Sequence, residues 1–388
     1  MRLRRCAILQ LEPQERIVFD LATLSAGGDG LRDELVWLAY APQLPAPAPL
    51  KPDELHVLGA ISPSRWRNRD ELAAVHAPAV LEALHAMGLL IEEHSAAAAQ
   101  DERLRRAHWR SASAVMHYAS RWHGVDADAA QRQIEESENG DLLSRLGPPE
   151  PVVSEHVHPS ARVALQRPGD SPLEQLLLRR VTCRNFDRNR SLSAAQFSSV
   201  LFRAWGARTV HDFAPNVPLL KRGVPSAGGL HATEAYLLVQ RVEGIAPGLY
   251  HYHPIDHALE PLRALDGSEA NALARSFVAG QEYFVDAHVM VIAASRFHRM
   301  FWKYRNHAKA YRALLLDIGH LSQAQYLAAT EIGLAAFITA AINEVDIEQA
   351  FGLDPLEEGP LAVTGFGIRA AECREVEWDP LNVVWPKS

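Results

Sequence analysis

Arg180, Thr182 and Arg184 stand close together in RRVTCRNF, and they combine two guanidiniums with a hydroxyl. A guanidinium fork matches phosphate oxygens, so this spacing can hold a phosphate; an ordinary basic surface turn is the alternative. Ser226, Ala227, Gly228 and Gly229 follow Pro225. Such small residues let a planar ligand approach the backbone and leave N–H groups to meet it, although a plain tight turn has the same composition. Lys303 and Tyr304 are adjacent, with Arg305 next. An ammonium and a phenol side by side can share a proton, and either becomes a base at neutral pH only where its surroundings favour the deprotonated form. The alternative is a snorkelling lysine beside a core tyrosine. His320 and Gln323 lie in a helical run that begins at Tyr311 and share a face, so they can line a pocket or form the polar edge of a plain helix.

Several familiar chemistries lack their residues. No G-x-G-x-x-G follows a strand, and no nucleotide-triphosphatase lysine loop is present. No serine occupies a G-x-S-x-G elbow. His251 and His253 alternate on one strand face, but no Cys, Asp or Glu completes a zinc set, so no metal is expected. The three cysteines, Cys6, Cys183 and Cys373, are far apart and make neither a disulfide scaffold nor an iron–sulfur site.

These groups need elements to position them. The chain has 388 residues, 48% of them hydrophobic, which supports a sizeable core and more than one domain. A net charge of -8 gives no general attraction to nucleic acid or anionic lipid. No apolar stretch has the length of a membrane span, and the N-terminus lacks a signal-peptide core, so a cytoplasmic protein is expected.

Residues 41–53, APQLPAPAPLKPD, read as a proline-rich turn or linker. ELHVLGAI then reads as a strand. Asp70 can cap a short helix, ELAAVHA, and Pro78 suits the first turn of a second, where Val80, Leu81, Leu84 and Met87 recur at helical spacing. Gly88 can stop that helix before the strand LLI. This order resembles a small winged-helix module, which would bind a peptide or partner or merely support the rest. DNA binding would need phosphate contacts from elsewhere, because the second helix has no Lys or Arg. Residues 100–136 are broadly helical, with Trp109, Met116 and Trp122 expected to face a core. YLLVQR, GLYHY, VMVIAAS and LAVTGFG read as strands, and Leu314, Leu315, Ile318 and Leu321 give the helix from Tyr311 an apolar face. The fold class is α+β: an N-terminal winged-helix-like region over 1–160, then a catalytic domain over 161–388 with a central sheet flanked by helices.

RRVTCRNF, PSAGGLHATEAYLLV, GLYHYHP, KYRNHAKAYRALLLDIGHLSQ, ATEIGLAAF and LAVTGFG occur in this order. Together they resemble the SagB-type flavin dehydrogenases of ribosomal-peptide maturation, within the nitroreductase-like fold, over about residues 175–370. The resemblance implies FMN as cofactor and a homodimer with flavin sites at the subunit interface. It places Arg180, Thr182 and Arg184 at the phosphate and ribityl end, with Arg369 as a further phosphate ligand. It lays Ser226, Ala227, Gly228 and Gly229 against the isoalloxazine and puts Gln323 and Gly333 near the pocket. Lys303 and Tyr304 match the catalytic Lys-Tyr pair of azoline dehydrogenases. The implied substrate is a precursor peptide whose thiazoline or oxazoline is oxidised to an azole, with oxygen as final acceptor and a cyclodehydratase as partner. Val181, Thr182, His231 and Ala324 depart from the family pattern and bear on substrate class. An NAD(P)H-dependent reductase of dehydroamino acids, quinones or nitroaromatics, and a flavin-free docking scaffold, are the other readings.

Overall fold

The computed structural model describes residues 1–137, 144 and 146–386. The chain folds into two compact units: one comprises residues 1–121, 296–314 and 354–358, the other 122–295, 315–353 and 359–388. The cut near residue 160 expected from the sequence therefore does not coincide with this division, because two later segments return to the N-terminal unit.

The first unit contains β1 (Arg2–Arg5), β2 (Gln10–Phe19), β3 (Leu31–Tyr40), β4 (Ala48–Leu50), β5 (Arg67–Asn68) and β6 (Leu90–Glu92). They form two three-stranded sheets, ordered β5-β1-β6 and β2-β3-β4. ELHVLGAI is not a strand: residues Pro52–Ala60 form a helix. Pro52 sits in its first turn, and the Glu54 carboxylate accepts from the Lys51 N–H at 2.8 Å, a start signal that outweighs the short apolar run. Asn68, not Asp70, caps the helix Arg69–Ala73. Pro78–Ala86 is helical as expected, Gly88 leaves it at φ 75°, and Leu81, Leu84 and Leu90 join Leu3 and Leu58 in the core.

An aromatic cluster supports the later part of this unit. Trp109 is buried and stacks on His117 at 5.5 Å, while Phe297 lies 4.6 Å from Trp109. Burial pushes the His117 pKa down to about 3, so this ring is a neutral core residue. Met116 and Trp122 do not share that core; they are 58% and 37% exposed. Periodicity cannot assign a face on a helix as short as Ser111–Ala119.

The second unit is organised by six strands: β9 (Thr233–Val239), β10 (Gly248–His253), β11 (Ala258–Ala264), β12 (Val289–Arg296), β13 (Ala335–Thr339) and β14 (Glu358–Gly367). Their order is β11-β10-β9-β12-β14-β13. Before them, β7 (Thr209–Ala214) and β8 (Val217–Lys221) form a separate hairpin. Leu237, Val239, Val289, Val291 and Phe366 enter one core, with Ile318, Leu321 and Tyr326 of the helix Ala310–Glu331. Leu238, Met290, Ile292 and Val363 enter the other, with Phe277, Phe284 and Ile347. A sheet covered on both faces needs near-continuous apolar strands, which is why VMVIAAS does not alternate. Leu315 is 43% exposed, so only part of the apolar face expected for this helix is buried. Within β14, a Cβ on Gly365 or Gly367 would run into Phe337 or His288, so these glycines let the strand pass close to its neighbours.

Candidate functional site

The segment 180–186 is laid along the sheet by backbone bonds. Cys183 N–H donates to Ala336 O at 2.9 Å, and Ala370 N–H donates to Asn185 O at 2.8 Å. Thr182 pairs with Ala336 and Phe186 with Arg369 as isolated bridges. The segment thus runs past the start of β13 and the end of β14, which brings Arg180, Thr182, Arg184 and Arg369 to one region of the second unit. Thr182 Oγ1 hydrogen-bonds Tyr326 Oη at 2.9 Å, and the Arg180 guanidinium lies 5.3 Å from the centre of that ring. Burial raises the Tyr326 pKa, so its phenol stays protonated at neutral pH.

Arg184 and Arg369 have partners that the sequence did not reveal. The Glu377 side chain is fully buried. Its Oε1 accepts from Arg184 N at 2.7 Å, Asn185 N at 3.0 Å and Asn185 Nδ2 at 2.9 Å. Its Oε2 accepts from Trp385 Nε1 at 2.9 Å and from the Arg369 guanidinium. Arg184 also donates to Val376 O at 3.2 Å, and its guanidinium lies 4.8 Å from the centre of the Tyr283 ring. Arg184, Tyr283, Glu282, Asp286 and Arg374 line a cavity of about 350 Å³ of mixed charge. The residues after β14 thus supply an internal anion to the Arg369 guanidinium and to the Arg184 backbone, and a carbonyl to the Arg184 guanidinium.

The glycine turn is held by a carboxylate on the long helix. Asp317 Oδ2 accepts from Ser226 Oγ at 2.6 Å and Oδ1 from Ala227 N at 3.0 Å. Ser226 Oγ in turn accepts from His231 N at 2.9 Å. Gly228 and Gly229 have φ of 62° and 70°, a region that glycine occupies without strain. A Cβ built on Gly229 meets nothing within 4 Å, so the turn has open space beside it. The Ala227 N–H, expected to be available to a ligand, is committed to Asp317.

Other expected residues fall differently. Gln323 is exposed, as is His320; the inward-facing glutamine is Gln325, which joins Trp205 Nε1 at 2.9 Å to Thr364 Oγ1 at 2.5 Å. Gly333 has φ 77° just after the helix Ala310–Glu331, again with nothing within 4 Å of a built Cβ. Lys303 ends the helix Phe297–Lys303, and its Nζ lies 5.7 Å from the Tyr304 ring centre. Both belong to the first unit, whereas the arginines and the glycine turn belong to the second. His251 hydrogen-bonds Glu234 and Glu260, which raise its pKa. Sequence reading missed Asp317, Tyr326 and Glu377. Asp317 lies inside the stretch KYRNHAKAYRALLLDIGHLSQ that carries the family resemblance, while Glu377 gives no local signal.

Residues 177–368 match the model of the nitroreductase family. This segment is a nitroreductase-family domain, and the chain is an oxidoreductase. The domain is similar to a putative nitroreductase of Methanocaldococcus jannaschii, 28% identical over 195 residues, which are 50% of this chain and 90% of that protein. It is also similar to the trifolitoxin-processing protein TfxB of Rhizobium leguminosarum bv. trifolii, 30% identical over 37% of this chain and only 38% of TfxB. The microcin B17-processing protein McbC of Escherichia coli is 29% identical over 47% of this chain and 69% of its own length. Among solved structures, a chain of the E. coli microcin synthetase McbBCD complex with truncated pro-MccB17 aligns with a TM-score of 0.46 and 22% identity over 72% of this chain and 100% of its own. A putative nitroreductase from Desulfovibrio desulfuricans in complex with FMN aligns with a TM-score of 0.33 and 16% identity over 54% of this chain and 94% of its own. Among the described residues, no helix is long and apolar enough to cross a membrane.

Proposed function

We propose that this nitroreductase-family oxidoreductase is a SagB-type, FMN-dependent dehydrogenase that oxidises a thiazoline or oxazoline in a ribosomally made precursor peptide to the azole. The observation that carries the reading is a nitroreductase-family segment with likeness to two peptide-processing proteins, TfxB and McbC. The residues fit the cofactor. A pinned turn with two left-handed glycines and open space beside Gly229 can take a flat ring, and Arg180 and Thr182 stand on Tyr326 as candidates for the anionic end.

Bound FMN supplies a two-electron acceptor, and the protein supplies position and proton handling. Arg180 and Thr182 would hold the phosphate and ribityl end; the Arg184 guanidinium, which donates to Val376 O, would join them, while Arg369 would serve the phosphate only in exchange for part of its Glu377 contact. Residues 226–229 would lie against the ring, with Gly333 and Gln323 at the pocket edge. The azoline would lose two hydrogens: Tyr304, beside Lys303, would take the acidified ring proton, and bound FMN would supply the acceptor for the remaining hydrogen and its electron pair. Oxygen is the final acceptor.

The sheet β5-β1-β6, with the helices Pro52–Ala60, Arg69–Ala73 and Pro78–Ala86, supports a winged-helix-like module for peptide or partner. A homodimer and a cyclodehydratase partner complete the proposed assembly in the cytoplasm. The test is mass spectrometry of a heterocyclised precursor after incubation with the purified protein. Loss of two hydrogens per ring is expected; a gain of two hydrogens would replace the reading with a reductase. Tyr304→Phe should retain flavin and lower turnover about 100-fold or more. Unchanged turnover removes the phenol from the mechanism.

A further inference from the structure

The glycine turn is almost closed upon itself. Ser226 O accepts from Gly229 N at 3.0 Å, and Ala227 O accepts from Leu230 N at 3.3 Å. Asp317 takes the Ala227 N–H, and the Ser226 hydroxyl takes the His231 N–H. Among the described residues, the Ser226 and Gly228 N–H groups are the turn's backbone donors without an acceptor, and Gly228 is the more exposed of the two. Asp317 is 5% exposed and shares a small buried polar cluster with Arg222, Ser226, His231 and Thr233. Arg222 is itself 2% exposed, and its Nη1 donates to Thr233 O at 3.0 Å.

We propose that Asp317 is the positioning residue of the flavin-facing turn: its two oxygens fix Ser226 and Ala227 so that the Gly228 N–H is kept for an acceptor on the flat ring. This rests on the FMN reading given above. The physical case is one of division of labour. A two-point carboxylate clamp on consecutive residues removes both the hydroxyl and one amide from competition for the ligand. It also prepays the ordering of a segment that contains two glycines, which otherwise lose the most freedom on becoming fixed. The clamp comes from the helix Ala310–Glu331, a rigid element, and a site held from such an element is placed more accurately than one held by a loop.

The test is FMN titration of the apoprotein with Asp317→Ala, Asp317→Asn, Ser226→Ala and Arg180→Gln, together with the visible spectrum of the bound flavin and the thermal midpoint of each apoprotein. Asp317→Ala removes both clamps and is expected to weaken FMN about tenfold or more, with a changed flavin spectrum. Asp317→Asn retains an acceptor for Ala227 and can donate to Ser226 Oγ, so it should hold affinity within about fivefold of the parent and restore the spectrum. Ser226→Ala, which leaves the Ala227 clamp, should give the same spectral change with a smaller loss, and it carries the test if Asp317→Ala does not fold. A parental spectrum and affinity in Asp317→Ala or, where that variant does not fold, in Ser226→Ala overturn the inference. So does a fall in apoprotein midpoint with no recovery of the spectrum in Asp317→Asn. If Arg180→Gln loses FMN while the Asp317 variants do not, only the positioning role fails. If the parent takes up no FMN, the cofactor reading itself has failed.

Discussion

The glycine turn and the arginine segment are both held by buried carboxylates from elsewhere in the chain, yet the two carboxylates do different things. Asp317 grips Ser226 and Ala227 from behind and leaves open space beside Gly229. Glu377 instead takes the Arg184 and Asn185 amides and the Arg369 guanidinium, the last a donor that the sequence assigns to an incoming phosphate. One carboxylate prepares a surface; the other occupies one. Residue type alone therefore does not tell a ligand-binding arginine from an arginine that anchors its own tail. What separates them is whether the chain already provides the anion.

That contrast breaks most clearly at Glu377. Replacing it with Ala leaves the Arg369 charge and four N–H groups without their acceptor, so about 3 kcal/mol or more of stability should be lost. Denaturant unfolding measures this, and an unchanged midpoint would show that the tail contributes no anchoring. Arg180→Gln is expected to act on the other side of the comparison. It should weaken FMN about tenfold with unfolding nearly unchanged, because the Arg180 guanidinium rests on the Tyr326 ring and not in the Glu377 network. Loss of stability without loss of FMN would assign Arg180 to structure.

A pH series sharpens the same point. His288 lies against Gly367 near the base of the arginine segment; its Nε2 lies 3.0 Å from Arg190 O, and burial holds its pKa down to about 4. Below the ordinary histidine value of about 6.5 the unfolded chain takes up the proton that the folded ring refuses. The contribution is therefore complete above about pH 6.5 and is lost as the pH falls toward the folded value. His117, lowered to about 3, adds to the same slope from the first unit. Exchange of His288 for Gln should flatten the decline in thermal midpoint across that interval. The smallest effect is expected at Gly229→Ala. Its Cβ meets open space, so only the left-handed φ costs stability, about 1–2 kcal/mol, while the added methyl group stands where the ring is proposed to lie and lowers FMN affinity.

Much of the second unit was legible because a buried strand needs a continuous apolar run. YLLVQR, GLYHY, VMVIAAS and LAVTGFG mark β9, β10, β12 and β14, each within a few residues of its observed bounds. ELHVLGAI was misread because eight residues do not distinguish an apolar strand from a capped helix, and the cap lay just before them. Leu315 fails as a core residue because periodicity gives a long helix a face but not the width of what covers it, whereas Met116 is on a helix too short to show a face and Trp122 lies outside any helix.

By itself the sequence determined the family of residues 177–368, the principal strands of the second unit and the residue types from which a flavin site can be made. These follow from local rules, namely strand hydrophobicity, glycine at positive φ and arginine chemistry. The tertiary structure alone decided which of those groups remain available. Asp317 meets the turn across 91 and 90 residues and Glu377 meets the arginine segment across 192 and 193 residues, so no local pattern encodes either contact. Such bonds exist only once the sheet has brought distant segments to one edge, and they determine whether a donor faces a ligand or its own chain.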